Sequence, residues 1–213
     1  MKSQREIFNE SEGDAWFRRN EAALTVRDWA KDPVCIKIIE LQNSRNNLKI
    51  LEIGCGDGGR LSYLSKTLGS EVFGIDPSGE SVQKAVKNEV FAFKATADNL
   101  PFADLTFDVV IFGFCLYLCD DNDLFRIVSE ANRVLKSESW LLILDFESRS
   151  PVYRPYHHKQ GIKSRKMDFK EMFLWHPSYT LASHQKFHHE TMQWTDDIDH
   201  WISLACLRKT TKA

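Results

Sequence analysis

Residues 51–60 read LEIGCGDGGR: an apolar run that halts at Gly54, four glycines within ten positions, then the start of an amphipathic stretch. A strand, a glycine loop and a helix in that order bring backbone N–H groups and the positive end of a helix up to a ligand. Gly54, Gly56 and Gly59 satisfy the G-x-G-x-x-G spacing of dinucleotide sites, but the same turn serves several nucleotides. Charge separates them. Glu52 lies two residues ahead of Gly54, where its carboxylate reaches the ligand of the loop. Beside a pyrophosphate it repels, at roughly 1 to 4 kcal/mol over a few ångströms; beside an ammonium or sulfonium it attracts. A ligand with adenosine at one end and a cationic amino acid at the other suits this loop better than a nicotinamide dinucleotide.

Outward from the loop, two periods alternate. Asn47–Ile53, Glu71–Ile75, Val90–Ala95, Phe107–Phe114 and Trp140–Phe146 read as strands, the fourth nearly all apolar, as in a strand covered on both faces. Arg60–Leu68, Glu80–Lys87 and a stretch from Asp120 or Asp121 to about Leu135 carry helical stripes. Such alternation predicts an α/β fold, a doubly wound and mostly parallel sheet. Residues 1–45 have helical character, including Val34–Leu41, and are expected to form a cap or lid; residues 46–213 form the sheet domain. Within it, 148–177 is polar, aromatic and basic, an insertion too weakly periodic to place. Tyr179–His189 and Ile198–Arg208, joined by a polar turn, suggest a closing hairpin at one sheet edge.

The chain has 213 residues, 43% of them hydrophobic and 27% charged, with a formal net charge of −2. These values fit one soluble domain and give no reason to expect a nucleic-acid or membrane partner. The start, MKSQREIFNE, lacks the apolar core of a secretory signal, and the longest apolar stretch, Val109–Cys119, falls short of the ~20 residues that cross a bilayer. Five scattered cysteines include no Cys-x-x-Cys pair, so reduced thiols in a cytoplasmic protein are expected. A nucleophilic reading of Cys55 finds no base near it in sequence.

Two further acidic positions fit an adenosine. Asp76 ends the second strand about twenty residues past the glycines, where a carboxylate accepts both ribose hydroxyls. Asp98 and Asn99 follow the third strand and can offer a carboxylate and a backbone N–H to adenine, with Ile75, Leu100 and Phe102 to sandwich the base. A purely structural reading is also open: the glycines permit tight strand–helix packing and Asp76 caps the next helix.

LEIGCGDGG, the GIDPS turn, TADNLPF, and FDVVIFGFCLYLCD with a following helix that ends NRVLK together resemble the class I S-adenosylmethionine-dependent methyltransferases, in their small-molecule, type 11-like branch. The resemblance covers about residues 47–146. It implies a seven-stranded, Rossmann-like sheet whose last strand is antiparallel, with the terminal hairpin supplying strands six and seven. It implies S-adenosylmethionine as cofactor, with Glu52, Gly54, Cys55, Gly56 and Gly58 around its methionine and ribose. Asp76 with Pro77 would hold the ribose, Ala97, Asp98 and Asn99 the adenine, and Phe114 would lie along the cofactor.

The acceptor site is expected from loops at the carboxyl ends of the strands. In the 148–177 segment, His157 or His158 could serve as general base, since imidazole titrates near physiological pH, and Arg154, Lys163 and Arg165 could grip a carboxylate or phosphate; Tyr156 lies among them. Tyr117 would project near the methyl, and Trp16 and Arg19 could belong to a lid. His184, His188 and His189 resemble metal ligands, but on a strand 184 and 188 share one face while 189 points away, so no metal is expected. The leading reading is methyl transfer to a small polar acceptor, most simply an oxygen of a sugar or other metabolite, by a monomer or homodimer. The alternatives are a catalytically silent cofactor-binding partner or regulatory protein and a protein methyltransferase; an NAD(P) reductase is the remaining rival. No Asn-Pro-Pro-aromatic tetrad follows the fourth strand, which speaks against nucleic-acid methylation.

Overall fold

A computed structural model describes residues 2–42 and 47–211. The chain starts with α1 (Gln4–Ile7), closed by a Ser3/Glu6 capping box, runs through a π-helical turn at Phe8–Glu12 into α2 (Gly13–Thr25), and reaches α3 (Pro33–Leu41), which Asp32 caps with Pro33 in the first turn. The expected boundary between cap and sheet, at residues 45 and 46, lies outside the described residues. Then come β1 (Lys49–Ile53), α4 (Gly59–Leu68), β2 (Glu71–Asp76), α5 (Gly79–Lys87), β3 (Phe91–Lys94), β4 (Phe107–Gly113), α6 (Leu124–Val134) and β5 (Leu135–Phe146). The remainder is β6 (Val152–Pro155), β7 (Lys163–Lys166), α7 (Glu171–Leu174), β8 (Tyr179–His188) and β9 (Trp201–Lys209).

Seven strands form one sheet in the order β3-β2-β1-β4-β5-β9-β8. The first five are parallel, and β9 runs antiparallel to both β5 and β8. This is the doubly wound, seven-stranded architecture expected, with the chain's last strand reversed. The winding direction changes between β1 and β4, and the crevice at the carboxyl ends of strands around such a switch is where open α/β sheets bind ligands.

Period-two alternation assigns the two faces. Leu51 and Ile53 of β1 join Val110, Phe112, Ile127, Ala131 and Phe173 in one core, toward α6 and α7. Ile50 joins Val109, Ile111, Val34, Ile38, Leu61 and Leu64 in the other, toward α3 and α4. Glu52 shares parity with Ile50, so it falls on the α3/α4 face.

Two elements depart from the expected bounds. β5 begins at Leu135 and not at Trp140: the polar KSES stretch continues the strand directly from α6, with a register shift against β4 between Phe107 and Val109. Residues 198–200 form a 3₁₀ turn capped by Asp197, which delays β9 to Trp201. The aperiodic 148–177 segment contains the mostly exposed β6–β7 hairpin and the one-turn helix α7. Among the described residues no helix is long and apolar enough to cross a membrane.

Candidate functional site

At the carboxyl ends of β1, β2 and β4 lies a cleft of about 850 Å³, lined by Trp16, Gly54, Asp76, Pro77, Ala97, Asp98 and Phe114 among others. Its apolar floor includes Ile53, Ile75, Ala95, Leu118 and Ile127. Gly54 has φ +76°, a conformation other residues rarely adopt, and a Cβ there would lie 2.7 Å from Cys115 Cβ. Both the Gly54 and Cys55 amides donate to the Ile75 carbonyl, at 2.9 and 3.0 Å. Phe114 also has positive φ, +54°, and this turn past the end of β4 brings it to the cleft. Strain of this kind in a bulky residue persists only where the surroundings impose it.

Asp76 accepts the Gly56 amide through Oδ2 at 3.0 Å and the Ser78 amide through Oδ1 at 2.9 Å. Burial nevertheless pushes its carboxyl up to about 6. Asp98 is buried and paired through Oδ2 with Arg5, a residue of α1 that also lines the cleft and contacts Asp123 at 3.4 Å. Asn99 is exposed and away from the cleft, its amide taken by the Thr96 carbonyl at 3.1 Å.

The other loop residues pack. Gly56, φ +56°, sits beneath Leu24 of α2, and Gly58, φ +72°, lies so close to Ala85 and Val90 that a Cβ would be 3.0 and 2.9 Å away. Cys55 is buried against Gly74, and burial pushes its thiol upward. None of these three side chains or Cα positions lines the cleft.

Glu52 has a partner that was not anticipated. It is 2% exposed and ion-paired through Oε1 with Arg60 of α4, which also binds Asp32 through Nε and Nη2 at 3.1 Å each. Arg27 reaches Asp32 at 3.0 Å. Glu52 therefore belongs to a buried network of two acids and two arginines beneath the loop, and the charge argument that set it against the ligand directly needs correcting: its negative charge is largely met by Arg60. Burial, opposed by Arg60 and reinforced by Asp32, pushes its carboxyl up to about 7. Oε2 is buried without a hydrogen-bond partner among the described residues.

The N-terminal helices close over the site. Gly13 of α2 fits so tightly against the turn after β2 that a Cβ would lie 3.0 Å from the Ser78 nitrogen. Asp14 Oδ1 accepts the Ser78 hydroxyl at 2.7 Å and the Glu80 amide at 3.1 Å. Trp16 lines the cleft and bonds the Tyr117 hydroxyl.

Tyr117 lines a second cleft, of about 580 Å³, with Phe146, Arg154, Tyr156, His157, Ser164, Arg165 and Lys166. The two clefts abut. Phe114 of the first packs on Phe146 of the second with ring centroids 5.5 Å apart, and Phe8 of the first lies 6.3 Å from Tyr156. His158 is exposed and edge-on to Tyr156 at 5.3 Å, off this cleft. Of the basic side chains expected at the acceptor site, Arg165 and the lid residue Arg19 are engaged otherwise, and Lys163 points to solvent. Arg165 is 3% exposed, paired with Asp121 and donating to the carbonyls of Leu116 and Cys119 at 3.2 and 3.3 Å. Arg19 binds Glu12 at 2.5 Å and the Tyr156 hydroxyl at 3.0 Å. Lys163 has an exposed side chain, its amide donating to Gln4 Oε1 at 2.6 Å.

Sequence reasoning passed over Asp145. Buried at 2% exposure, it accepts the amides of Leu116 (2.9 Å), Tyr117 (3.4 Å) and Phe146 (2.8 Å), so it holds the turn that carries Tyr117 between the clefts. Burial pushes its carboxyl up to about 7. The signal was present: an acid near the end of an apolar strand, the same pattern as Glu52 and Asp76. The histidines also differ from expectation. β8 ends at His188, the turn after it brings His189 round, and His200 joins them; His184 instead binds Glu147 at 2.7 Å.

Residues 51–143 match the family described as "Methyltransferase domain", type 11. A ubiquinone/menaquinone biosynthesis C-methyltransferase from a Shewanella species is 30% identical over 136 residues, 57% of this chain and 53% of the relative. A fatty-acid O-methyltransferase from Mycolicibacterium smegmatis is 30% identical over 109 residues, 49% of this chain and 39% of the relative. The chain thus aligns with about half the length of these curated relatives, or less. Among solved structures, the Burkholderia thailandensis 1,6-didemethyltoxoflavin-N1-methyltransferase, with bound 1,6-didemethyltoxoflavin and S-adenosylhomocysteine, has a TM-score of 0.70 at 17% identity, over 97% of this chain and 87% of that one. A Haloferax volcanii putative methyltransferase complexed with the Trm112 methyltransferase activator has a TM-score of 0.69 at 18% identity, over 99% of both chains. These structures carry the likeness of fold, and the match over residues 51–143, 93 of the 213, supports a class I S-adenosylmethionine-dependent methyltransferase domain of the type 11 kind, with S-adenosylmethionine as the cofactor.

Proposed function

We propose that the chain transfers the methyl group of S-adenosylmethionine to an oxygen of a small polar acceptor, a sugar or similar metabolite, held in the second cleft. The observation that carries this reading is the shared wall of the two clefts, where Trp16 meets Tyr117 and Phe114 meets Phe146. The first cleft fits the cofactor. It has bare backbone at Gly54, a carboxylate at Asp76 for the ribose hydroxyls, and apolar Ala95 and Ala97 beside Asp98 for the adenine; Glu52, buried beneath the loop and paired with Arg60, does not line it. When bound, the cofactor supplies a methyl already activated by its sulfonium, so alignment and exclusion of water provide most of the acceleration.

The protein's own residues then have distinct tasks. α2 and Trp16 shut the first cleft from water. Asp145 fixes the Tyr117 turn. His157, on the second cleft, takes the proton of the acceptor hydroxyl, which is a poor nucleophile until deprotonated. Arg154 and Lys166, also on that cleft, favour an acceptor carrying a carboxylate or phosphate. Beside Tyr117, Phe146, Pro155 and Tyr156, these two cations support a small acceptor with an anionic group. Five free cysteines suit a reducing, cytoplasmic setting.

The test is transfer from labelled S-adenosylmethionine to a panel of acidic sugars, nucleotide sugars, phenols, quinols and fatty acids, beside calorimetry with S-adenosylhomocysteine. The expected result is O-methylation of an acidic sugar or related metabolite, with His157→Ala losing on the order of 10²-fold or more in kcat while keeping affinity for S-adenosylhomocysteine. Methylation at carbon, or a His157→Ala variant with unchanged kcat, refutes the assignment. Cofactor binding with no transfer to any acceptor favours a silent binding protein.

A further inference from the structure

At the turn end of the β8–β9 hairpin, three half-buried imidazoles converge. His188 closes β8, His189 follows it, and His200 immediately precedes β9; one nitrogen from each lies within 4.8 Å of the others. We infer that His188, His189 and His200 form a binding site for a divalent transition cation of the zinc class.

Three observations carry this, and a fourth sets a condition on it. The Nδ1 atoms of His189 and His200 are 3.2 Å apart, close to the ~3.3 Å that separates two nitrogens bound at ~2.0–2.1 Å to one tetrahedral ion. The opposite nitrogens of the same rings face carboxylates: His189 Nε2 lies 3.6 Å from Glu190 Oε1 and His200 Nε2 lies 4.0 Å from Asp197 Oδ2. A carboxylate that accepts the outer N–H fixes the tautomer of a metal-bound histidine and leaves the inner nitrogen free to bind; at these distances the two are neighbours, not hydrogen-bonded partners, and a small movement would engage them. The three rings lie nearly parallel, their planes within 9° and their centroids 4.5 to 5.2 Å apart, so to ligate one tetrahedral ion they must turn about their side-chain torsions. Finally, the backbone is tied down: the His189 amide donates to the His200 carbonyl at 3.0 Å and the His188 amide to the Gln193 carbonyl at 2.7 Å. A preformed turn lowers the ordering cost of binding.

A simple hydrogen bond between His189 and His200 accounts for one pair but not for His188, which is drawn to the same place. His188 Nδ1 accepts the Glu190 amide at 3.2 Å, a contact that ligation by that atom would replace. Three neutral imidazole nitrogens suit Zn²⁺, Ni²⁺ or Co²⁺ and not Mg²⁺ or Ca²⁺, which prefer oxygen. Lys166 bonds the Asp199 carbonyl at 2.6 Å and is the nearby cation opposing the ion; Glu190 and Asp197 offset it. The site borders the second cleft, because the Phe146 ring that lines that cleft lies 6.3 Å from the His189 ring. An ion there staples the start of β9 to the end of β8 beside the cleft wall, and this holds whether or not the chain transfers methyl groups.

The test uses the tag-free full chain, stripped with a chelator and titrated with ZnCl₂ by competition with a chromophoric chelator. One equivalent should bind, with a rise in Tm. His200→Ala and His189→Ala should each weaken binding by on the order of 10- to 100-fold or more, while His176→Ala, remote in sequence from the cluster, leaves it unchanged. Bound Co²⁺ should give the intense visible absorption of a four-coordinate ion, lost in His200→Ala, with circular dichroism checking that each variant is folded. Absence of a one-to-one complex, equal affinity in His200→Ala and the native chain, or a weak six-coordinate Co²⁺ spectrum overturns the inference.

Discussion

Replacing Arg60 by methionine tests the buried network beneath the glycine loop. In the native chain Arg60 is 5% exposed and binds Glu52 and Asp32, themselves 2% and 0% exposed at the side chain. Methionine keeps much of the volume and removes the charge. Asp32 retains Arg27 at 3.0 Å and the amides of Val34 and Cys35 at 3.0 and 3.2 Å, whereas Glu52 is left with no cation in contact. Removing one member of a buried pair costs about 3 to 5 kcal/mol, and loss of the guanidinium over Trp29, 5.4 Å from the ring, adds about 0.5 to 1 kcal/mol. The pH dependence has a definite sign. With Glu52 pushed up to about 7, against an unfolded value of ~4.3, its contribution to native stability is fully present below pH ~4.3 and is lost as pH rises through about 7. Well above that the contribution is flat, because both states are ionised. Without Arg60 the carboxyl rises further and stays protonated, so the variant goes on losing about 1.4 kcal/mol per pH unit where the native chain loses less. Urea denaturation followed by tryptophan fluorescence should therefore find a deficit that grows by about 1 kcal/mol from pH 7 to 8, the native chain still losing about 0.4 kcal/mol over that unit, and Glu52→Gln combined with Arg60→Met should remove that growth. A deficit below about 1 kcal/mol, or one constant across this range, refutes the reasoning.

Two further outcomes follow from the first cleft. Asp76, pushed up to about 6 by burial, binds ribose hydroxyls best when ionised, so affinity for S-adenosylhomocysteine should fall as pH drops below about 6, up to tenfold per unit; Asp76→Asn should lose about 1.5 to 3 kcal/mol at pH 7.5 and show no such slope in calorimetry between pH 5 and 8. Gly54→Ala places a Cβ 2.7 Å from Cys115 Cβ at φ +76°, adding about 1 to 2 kcal/mol of left-handed strain to about 1 to 3 kcal/mol of overpacking; a thermal melt within error of the native protein would show that the turn relaxes freely.

Much of this protein was legible in one dimension. The alternation of short apolar strands with striped helices is a local property, set by periods of 2 and 3.6 residues, and it led to the parallel sheet, the reversed terminal hairpin and the loop at 51–60. Asp76 and Asp98 were recoverable because a carboxylate at a strand's end needs only its position along the chain to be located at the crevice. Glu52 was half recovered: its burial follows from strand parity, but its partner Arg60 lies across a turn, and Asp32 lies twenty residues upstream. Arg165, read as a grip for the acceptor, is instead committed to Asp121 and two backbone carbonyls, because its alternate position in β7 turns it inward.

The amino-acid sequence by itself determined the succession of strands and helices along the chain, the bare backbone at Gly54 and the acids at strand ends, all consequences of local periodicity and steric freedom. Only the tertiary structure decided which charges meet: Arg60 with Glu52, Arg5 with Asp98, Asp145 with the Tyr117 turn, and three histidines at one hairpin end. Charge pairing depends on distances of a few ångströms between residues far apart in the chain, and those distances exist only once the sheet has closed its two faces.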